Sequence, residues 1–273
     1  MQVIFLTFVL ALGASIGSFI NVVIWRLPKN ESIVTPRSYC PKCKKTIRFF
    51  DNVPILSYIL LNGKCRSCKE NIKINYFVIE LLTALIFIVV YFSKNTIFFK
   101  LDFGYFIFIS FLLFTILIIQ FLLDINYYWL PTKITNLGIF LGIIITLSYS
   151  LFFYNLLFFN HVIAGFLGLM IFFLVYKIGS FLYKKDVLGT GDIRLIFMMG
   201  IWLGIEGILL TIYLSFLSAG LYSSFLILTK KIKRNNIIPF GPFIILSGSS
   251  IWLLGTEFYK SLYLNLVSFL YSF

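Results

Sequence analysis

Two aspartates, Asp124 in "FLLDINYYWLP" and Asp192 in "VLGTGDIRLI", stand at the ends of long apolar stretches. An ionisable side chain at or inside a membrane boundary is costly, which makes it a candidate functional residue. Both aspartates lie at the same predicted boundary, and the helices that carry them could bring them together. A close carboxylate pair can activate water as a general base and protonate a leaving amine as a general acid, which is the chemistry of aspartyl proteolysis.

Catalysis, helix capping and ion transport all remain open for these aspartates when the residues are considered alone. Asp192 stands where an N-terminal helix cap would stand. Gly189 and Gly191 permit close backbone approach beside Asp192. Pro131 ends the helix that follows Asp124 and opens room for an extended substrate. The glycines and the proline favour the catalytic interpretation.

All four cysteines lie in one polar stretch as two Cys-x2-Cys pairs, "CPKC" and "CRSC". Cys40, Cys43, Cys65 and Cys68 have the spacing of a tetrahedral four-cysteine zinc site. The surrounding Lys and Arg favour thiolates, and a reducing cytoplasm disfavours disulfides. A polar loop of this length has little core, so a metal would contribute much of its folding free energy. A redox dithiol pair and a site that no longer binds metal are the alternatives.

Three further features carry weaker signals. Glu80 lies about one turn inside a predicted span, where it pairs with a basic loop residue, contacts a substrate or is simply buried. The single His161 is predicted to pack near the outer end of its span. The stretch "IPFGPF" (238–243) either shapes a substrate entrance or starts a helix. Residues 55–61 are predicted to form a short apolar helix on the membrane surface.

The composition predicts the elements that position these residues. The 273-residue chain is 60% hydrophobic and only 12% charged, whereas about a quarter of the residues in soluble domains are charged. Repeated apolar runs of about 20 residues predict an all-α polytopic membrane protein. The predicted spans are about 1–25, 76–93, 103–123, 134–154, 159–182, 192–204, 207–229 and 239–256, followed by an amphipathic tail, 257–273.

The basic residues define the predicted topology. Twenty of the 23 Lys and Arg residues fall in or beside four alternate loops, 26–75, 124–133, 183–191 and 230–238. This is the positive-inside pattern, so the net charge of +13 indicates membrane orientation and not nucleic-acid binding. No Lys or Arg precedes Arg26, which argues against a cleaved signal peptide. We therefore expect a retained first span, 1–25, with its N-terminus outside, a cytoplasmic zinc-binding loop domain, 26–75, and a membrane domain, 76–273.

Taken together, the motifs resemble the type IV prepilin peptidases, which are Gly-x-Gly-Asp membrane aspartyl proteases. The resemblance rests on "GSFINVVIWRLP", the two cysteine pairs with "DNVPILSYILLNGKC" between them, "ELLTALIF", the stretch from Asp124 to Pro131, "GTGDIRL" and "IPFGPF". It covers nearly the whole chain in order.

The resemblance implies an eight-span fold in the bacterial inner membrane with its active site at the cytoplasmic boundary. The family cleaves the basic leader of prepilins and pseudopilins, typically after Gly and before a Phe-like residue. Many members then methylate the new N-terminus with S-adenosylmethionine, and the cysteine loop is associated with that bifunctional form. The implied roles are catalysis for Asp124 and Asp192, an active-site loop for Gly189, Gly191, Arg194 and Pro131, zinc ligands for the four cysteines, and substrate contact or methylation for Glu80.

Three residues depart from the family pattern. Arg194 stands where Lys is usual, Thr132 where Asp is common and Asn75 where Arg is common. None of these changes removes a carboxylate of the predicted pair. The alternative functions are a peptidase without methyltransferase activity, and a non-enzymatic zinc-bearing scaffold or ion transporter.

Overall fold

The computed structural model describes residues 2–93, 103–153, 156–184, 188–231 and 238–271. These residues form helices and contain no β-strand, only two isolated bridge pairs in the cysteine loop. The helices are α1 (Gln2–Arg26), α2 (Leu56–Leu60), α3 (Ile74–Phe92), α4 (Phe103–Tyr127), α5 (Thr132–Phe153), α6 (Leu157–Tyr183), α7 (Thr190–Leu228), α8 (Gly241–Leu254) and α9 (Thr256–Tyr271), with 3₁₀ turns at Leu27–Lys29 and Phe49–Asn52.

The prediction of an all-helical polytopic membrane protein is confirmed for these residues. Six of the described helices are long and apolar enough to cross a membrane, and α8 is a shorter apolar helix. The predicted short helix between the cysteine pairs is α2, and the predicted tail helix is α9. The predicted outer loop near Lys94 and Lys100, and parts of the predicted loops 183–191 and 230–238, lie outside the described residues.

The chain divides into two compact units, each held by its own contacts. The first consists of Met1–Lys94 with Ser110–Leu122, and the second of Asn95–Ile109 with Leu123–Phe273. In the first unit, α1 packs closely on α3 through Gly13 and Gly17. A methyl group at either glycine would lie 2.7 Å from a Cα atom of α3, that of Ala84 or Glu80. Small residues spaced four apart allow this approach between membrane helices.

In the second unit, α7 reverses direction at Gly204. Its 39 residues would extend about 58 Å as a straight helix, roughly twice the hydrocarbon thickness. Gly204 has φ 71° and ψ −179°, a backbone conformation essentially restricted to glycine. A methyl group at Gly168 of α6 would touch both Ile196 and Ile208, at 3.4 Å and 3.1 Å. These residues would be about 18 Å apart along a straight helix. The predicted sixth and seventh spans are thus two arms of α7.

Side chains of α6 bind the backbone groups that the break in α7 leaves without helical partners. Asn160 Oδ1 accepts a hydrogen bond from the Ile205 amide at 3.1 Å. His161 Nδ1 lies 2.8 Å from the Ile201 carbonyl oxygen, and the imidazole is buried. Such partners are needed because a membrane interior offers little water to unpaired backbone groups. His161 therefore has a packing role, as predicted, and its ring also binds the backbone at the break.

Close packing of α6, α7 and α8 completes the second unit. A methyl group at Gly200 of α7 would lie 2.5 Å from Gly165 Cα of α6. On the α8 side, a methyl group at Gly248 would overlap Met199 Cε. The tail helix α9 is joined to α7 by an ion pair of 2.8 Å between Lys260 and Glu206.

Replacing Gly200 with Leu should lower the stability of the protein in detergent, because the backbone of α6 occupies the space that the new side chain needs. We expect a loss of about 1–3 kcal/mol or more, visible as a lower melting temperature. Gly220→Leu is the matched control on the same helix, since no atom lies within 4 Å of a methyl group placed there. Equal melting temperatures for the two variants would contradict the proposed close contact.

Candidate active site and metal centre

Asp124 lies in the last turn of α4 and is only 5% exposed. Its carboxylate lies against the backbone of Gly241, the first residue of α8, where the amide can donate to it. The approach is close, because a methyl group at Gly241 would lie 2.5 Å from Asp124 Oδ2. Among the described residues, Oδ2 has no hydrogen-bond partner of good geometry. One oxygen of this buried carboxyl group is therefore left available to a substrate or a water molecule.

Asp192 lies in the first turn of α7 and is 8% exposed. Its Oδ2 accepts a hydrogen bond from the amide of Gly189, the residue that caps this helix, at 3.2 Å. This is the reciprocal contact that an acidic residue makes three positions after a cap. The capping contact considered from sequence is thus present, and it uses one of the two carboxylate oxygens.

The structure brings the two aspartates together. The Asp124 carboxylate acts electrostatically on Asp192. Leu130, which is buried, fills the space beside both groups. A methyl group at Gly191 would lie 2.9 Å from Leu130 Cβ, and one at Gly241 would lie 3.3 Å from Leu130 Cδ1. Only residues without side chains fit at these two positions. At Gly241 the backbone therefore approaches the Asp124 carboxylate closely, and at Gly191 it packs against Leu130.

No cation compensates this pair among the described residues, whose ion pairs all lie elsewhere. The nearby Arg194, which is on the same helix as Asp192, donates instead to the Thr132 hydroxyl at 2.7 Å. Thr132 begins α5 directly after Pro131. Two of the three departures from the family pattern therefore contact one another, and they join the segment after Asp124 to the first turn of α7.

In the first unit, the four cysteine sulfur atoms lie within 4.8 Å of one another. Cys40 Sγ and Cys68 Sγ are 3.8 Å apart. Four thiolates at about 2.3 Å from a tetrahedral zinc ion would be about 3.8 Å apart. The cluster therefore fits Zn²⁺, with all four positions filled by protein and no open position for a substrate.

Both cysteine pairs are built on the same backbone turn. The Lys44 amide donates to the Cys40 carbonyl, and the Lys69 amide donates to the Cys65 carbonyl, each at 2.9 Å. Lys44 and Lys69 both adopt a left-handed conformation, with φ near 60°. Hydrogen bonds from the backbone amides of Cys68 and Ser67 lower the pKa of Cys65 to about 7. The second pair therefore favours the thiolate at Cys65, the form that binds metal, whereas burial and the neighbouring thiols raise the pKa of Cys68 to about 11.

Two ion pairs close the cysteine loop around the cluster. Lys42, between the first two cysteines, binds Glu70 at 2.8 Å, just after the last cysteine. This hydrogen bond raises the pKa of Lys42. Arg66 binds both oxygens of Asp51, and this lowers the pKa of the Asp51 carboxyl. The pair of Lys42 and Glu70 is solvated, so it fixes geometry more than it adds stability, whereas the Asp51 side chain is only 9% exposed.

Glu80 belongs to the first unit and attaches the loop to the membrane helices. Its Oε2 accepts a hydrogen bond from the Ile55 amide at 2.7 Å. Ile55 has φ 62°, which is a strained conformation for a β-branched residue. The Ser18 hydroxyl of α1 lies within hydrogen-bonding reach of the same carboxylate. Asn75, the third departure from the family pattern, lies on the exposed start of α3.

Sequence reasoning missed Gly241 and Leu130 as parts of the site. The motif "IPFGPF" indicated the right segment, but the prediction rested on its prolines and not on Gly241. Gly241 matters because the Asp124 carboxylate lies against it, and no local sequence pattern indicates this contact.

Comparison with known proteins matches two family models to successive parts of the chain. Residues 11–94 match the Bacterial Peptidase A24 N-terminal domain, and residues 111–224 match the Type IV leader peptidase family. The prepilin leader peptidase/N-methyltransferase of Neisseria gonorrhoeae is 32% identical over 90% of this chain and 88% of its own length. That of Vibrio cholerae is 32% identical over 90% and 96%. That of Myxococcus xanthus is 30% identical over 76% of this chain and 59% of its own length. No solved structure matches.

Fold and site thus define a multi-pass membrane protein with a buried carboxylate pair and a four-cysteine cluster. The chain belongs to the type IV prepilin peptidase family. It is a prepilin-processing peptidase of the bacterial inner membrane.

Purified protein should contain about one zinc ion per chain, because the four sulfur atoms fit a tetrahedral ion. Cys68→Ser should lower the zinc that remains after dialysis against a chelator at least about tenfold, as measured by mass spectrometry of the metal. Ser67→Ala is the matched control, since Ser67 contributes only its backbone amide to the turn. Full zinc occupancy in Cys68→Ser, or none in the wild type, would contradict the assignment.

Proposed function

We propose that Asp124 and Asp192 form the catalytic pair of an aspartyl endopeptidase that removes the leader from prepilins. The observation that carries this proposal is the burial of two carboxyl groups side by side with no cation among the described residues. A purely structural carboxylate would be expected to have an ion-pair partner or a complete set of hydrogen bonds. In the described part of the chain, Asp124 has no ion pair and its Oδ2 has no hydrogen-bond partner of good geometry.

The pair can supply both proton transfers of peptide hydrolysis. Two ionised carboxylates held close repel one another, and a shared proton relieves the repulsion. The ionised aspartate accepts a proton from water as the water oxygen attacks the peptide carbonyl carbon, while the protonated aspartate donates to the carbonyl oxygen. The tetrahedral intermediate then collapses, the C–N bond breaks, and the leaving amine receives a proton from the pair.

We place this site at the cytoplasmic membrane boundary, with the N-terminus of the chain outside. The distribution of Lys and Arg supports this orientation. A prepilin carries a basic leader followed by an apolar helix, so the helix can stay in the bilayer while the junction reaches the boundary. The resemblance to the family supports cleavage after Gly and before a Phe-like residue.

We further propose that the cysteine cluster binds structural zinc and that the enzyme methylates the new N-terminus. The relatives named N-methyltransferase and the match of residues 11–94 to the N-terminal domain support the second activity. S-adenosylmethionine, when bound, supplies an electrophilic methyl group. The two matching turns and the ion pair between Lys42 and Glu70 would hold the loop closed around the metal.

Asp124→Asn and Asp192→Asn should each abolish leader cleavage, with a loss of at least about 10⁴-fold, because each removes one proton carrier. Glu206→Gln is the control, since Glu206 is an exposed acid on the second arm of α7, after Gly204. Prepilin cleavage in liposomes, with product masses read by mass spectrometry, gives the result. If either Asn variant still cuts at the wild-type rate, that aspartate is structural. Ion flux that is lost in both variants without any cleavage by the wild type would favour the transporter alternative.

Gly241→Ala should lower the cleavage rate at least about tenfold, because the added methyl group must displace the Asp124 carboxylate. A shift of about 1 Å in a catalytic group can cost 100-fold. Gly220→Ala is the matched control on a helix face with open space. A Gly241→Ala variant that melts like the wild type but cuts slowly would separate misplacement from misfolding. Unchanged cleavage would remove Gly241 from the site.

A further inference from the structure

The first unit contains a cavity of about 870 Å³ between the end of α1, the cysteine loop and the start of α3. This volume lies in the range of small-molecule sites, roughly 300–1,000 Å³. None of its lining residues comes from the second unit, which holds Asp124 and Asp192. The helices α1 and α3 are both long and apolar enough to cross a membrane. The cavity therefore lies where two membrane helices meet the polar loop, and the cleavage chemistry does not account for it.

Positive charge exceeds negative charge in the cavity wall, with six basic and three acidic side chains. Lys42 forms an ion pair with Glu70. Arg66 forms one with Asp51. The third carboxylate, that of Glu80, is hydrogen-bonded to the loop backbone. Four basic side chains of the wall have no ion pair among the described residues, namely Arg26, Lys45, Arg48 and Lys73.

Arg26 is the most telling of these four, because it is buried. The residue is only 5% exposed. Its guanidinium group donates to the carbonyl oxygens of Ser32 and Pro36, at 3.0 Å and 2.8 Å. Neither acceptor carries a charge, and the other guanidinium N–H groups have no acceptor in the described part of the chain. A buried cation needs an anion, so an anionic ligand that enters this cavity would be bound strongly.

The negative groups nearest to the cavity are already engaged with other side chains. Arg48 acts electrostatically on Asp51, but both oxygens of that carboxylate accept hydrogen bonds from Arg66. The cysteine sulfur atoms act electrostatically on Lys42, which is one of the paired side chains. The protein itself therefore does not supply the anion that the wall is built to receive.

The setting of the cavity resembles a membrane surface. Trp25, in the last turn of α1, lines the cavity, and its ring centre lies 5.9 Å from Lys73 Nζ. Phe49 and Phe50 are 77% and 82% exposed, and they directly follow Arg48, which also lines the cavity. Exposed aromatic side chains beside basic ones are typical of segments at the membrane–water interface. Basic pockets between membrane helices bind the headgroups of anionic lipids.

We propose that this cavity binds the phosphate group of an anionic ligand, and that the setting favours a phospholipid headgroup over a free phosphate as its source. Arg26 contacts the phosphate oxygens, because a guanidinium fork matches their geometry. Lys45, Arg48 and Lys73 surround the group with positive charge. A lipid bound here joins the cysteine loop to the ends of α1 and α3. Neither cleavage nor methylation is needed for this binding.

Lys73→Gln tests the charge of the wall, because Lys73 is exposed and its replacement should leave the fold intact. The full-length, zinc-loaded protein in neutral detergent is titrated with phosphatidylglycerol, and bound lipid is counted by native mass spectrometry. We expect a single tightly bound lipid per wild-type chain and an affinity about fivefold lower in Lys73→Gln. Lys64→Gln is the matched control, since it removes the same charge from the same loop outside the cavity.

Arg26→Gln tests the buried contact. It should weaken phosphatidylglycerol binding at least about tenfold, because a neutral amide does not replace a buried charge. Zinc content and melting temperature show whether this variant is folded. If it is not, a variant that combines Lys45→Gln, Arg48→Gln and Lys73→Gln takes its place, since all three side chains are exposed. The same loss of at least about tenfold is expected.

Two further probes identify the source of the phosphate. Phosphatidylcholine with the same acyl chains has no net charge and should bind at least about tenfold less tightly than phosphatidylglycerol. Inorganic phosphate, titrated by calorimetry, carries the anion without acyl chains and should also bind less tightly. If inorganic phosphate binds as tightly as phosphatidylglycerol and Lys73→Gln weakens it, the cavity takes a soluble phosphate and the lipid assignment is wrong.

Two results would overturn the site itself. Equal losses in Lys64→Gln and Lys73→Gln would show that the basic loop surface attracts anions without using the cavity. Wild-type protein that binds neither phosphatidylglycerol nor inorganic phosphate saturably would show that the cavity has no anionic ligand of this class.

Discussion

Two carboxyl groups buried within electrostatic reach of each other must be held together by the backbone, because their own charges do not attract. In the second unit this is done by helix ends. Asp124 comes from the end of α4, Asp192 from the start of α7, and the start of α8 lies against Asp124. The partial positive charge at a helix N-terminus offsets negative charge placed there. The starts of α7 and α8 thus stabilise the negative charge of the two carboxyl groups, as a cation does in an ion pair, but they add no full positive charge.

The first unit depends on a different interaction, since its loop contains few buried apolar side chains. Two copies of one turn present four sulfur atoms, and the ion pair between Lys42 and Glu70 joins the two turns. Glu80 then ties this loop to α1 and α3 and holds Ile55 in a strained conformation. Strain of this kind persists only where the surroundings fix it. A metal at the cysteines would supply the rigidity that the missing core does not.

Much of this arrangement follows from the sequence, because membrane burial makes polar residues conspicuous. Asp124 and Asp192 attract attention since a carboxylate beside a lipid-facing stretch needs a reason, and the structure does bring them together. The predicted end of the sixth span near residue 204 agrees with the break in α7 at Gly204. Gly241 and the hydrogen bond between Arg194 and Thr132 were not predicted, because they join residues distant in sequence. Nor does any local pattern pair Glu80 with the Ile55 amide. Such contacts arise only once the helices are packed.

The two helices that begin at the carboxylate pair are unusually short. The first arm of α7, residues 190–203, and the 14-residue α8 each rise only about 21 Å. The hydrocarbon core of a bilayer is about 30 Å thick. If the far end of each helix reaches one membrane surface, its first turn lies roughly 10 Å below the other surface. Aspartates recessed to that depth can meet a peptide bond that borders an apolar helix, while water reaches them from the headgroup region. A peptidase for membrane-anchored substrates needs access to the peptide bond and access to water at one position. Helices that span the whole bilayer would place the carboxylates at the membrane surface.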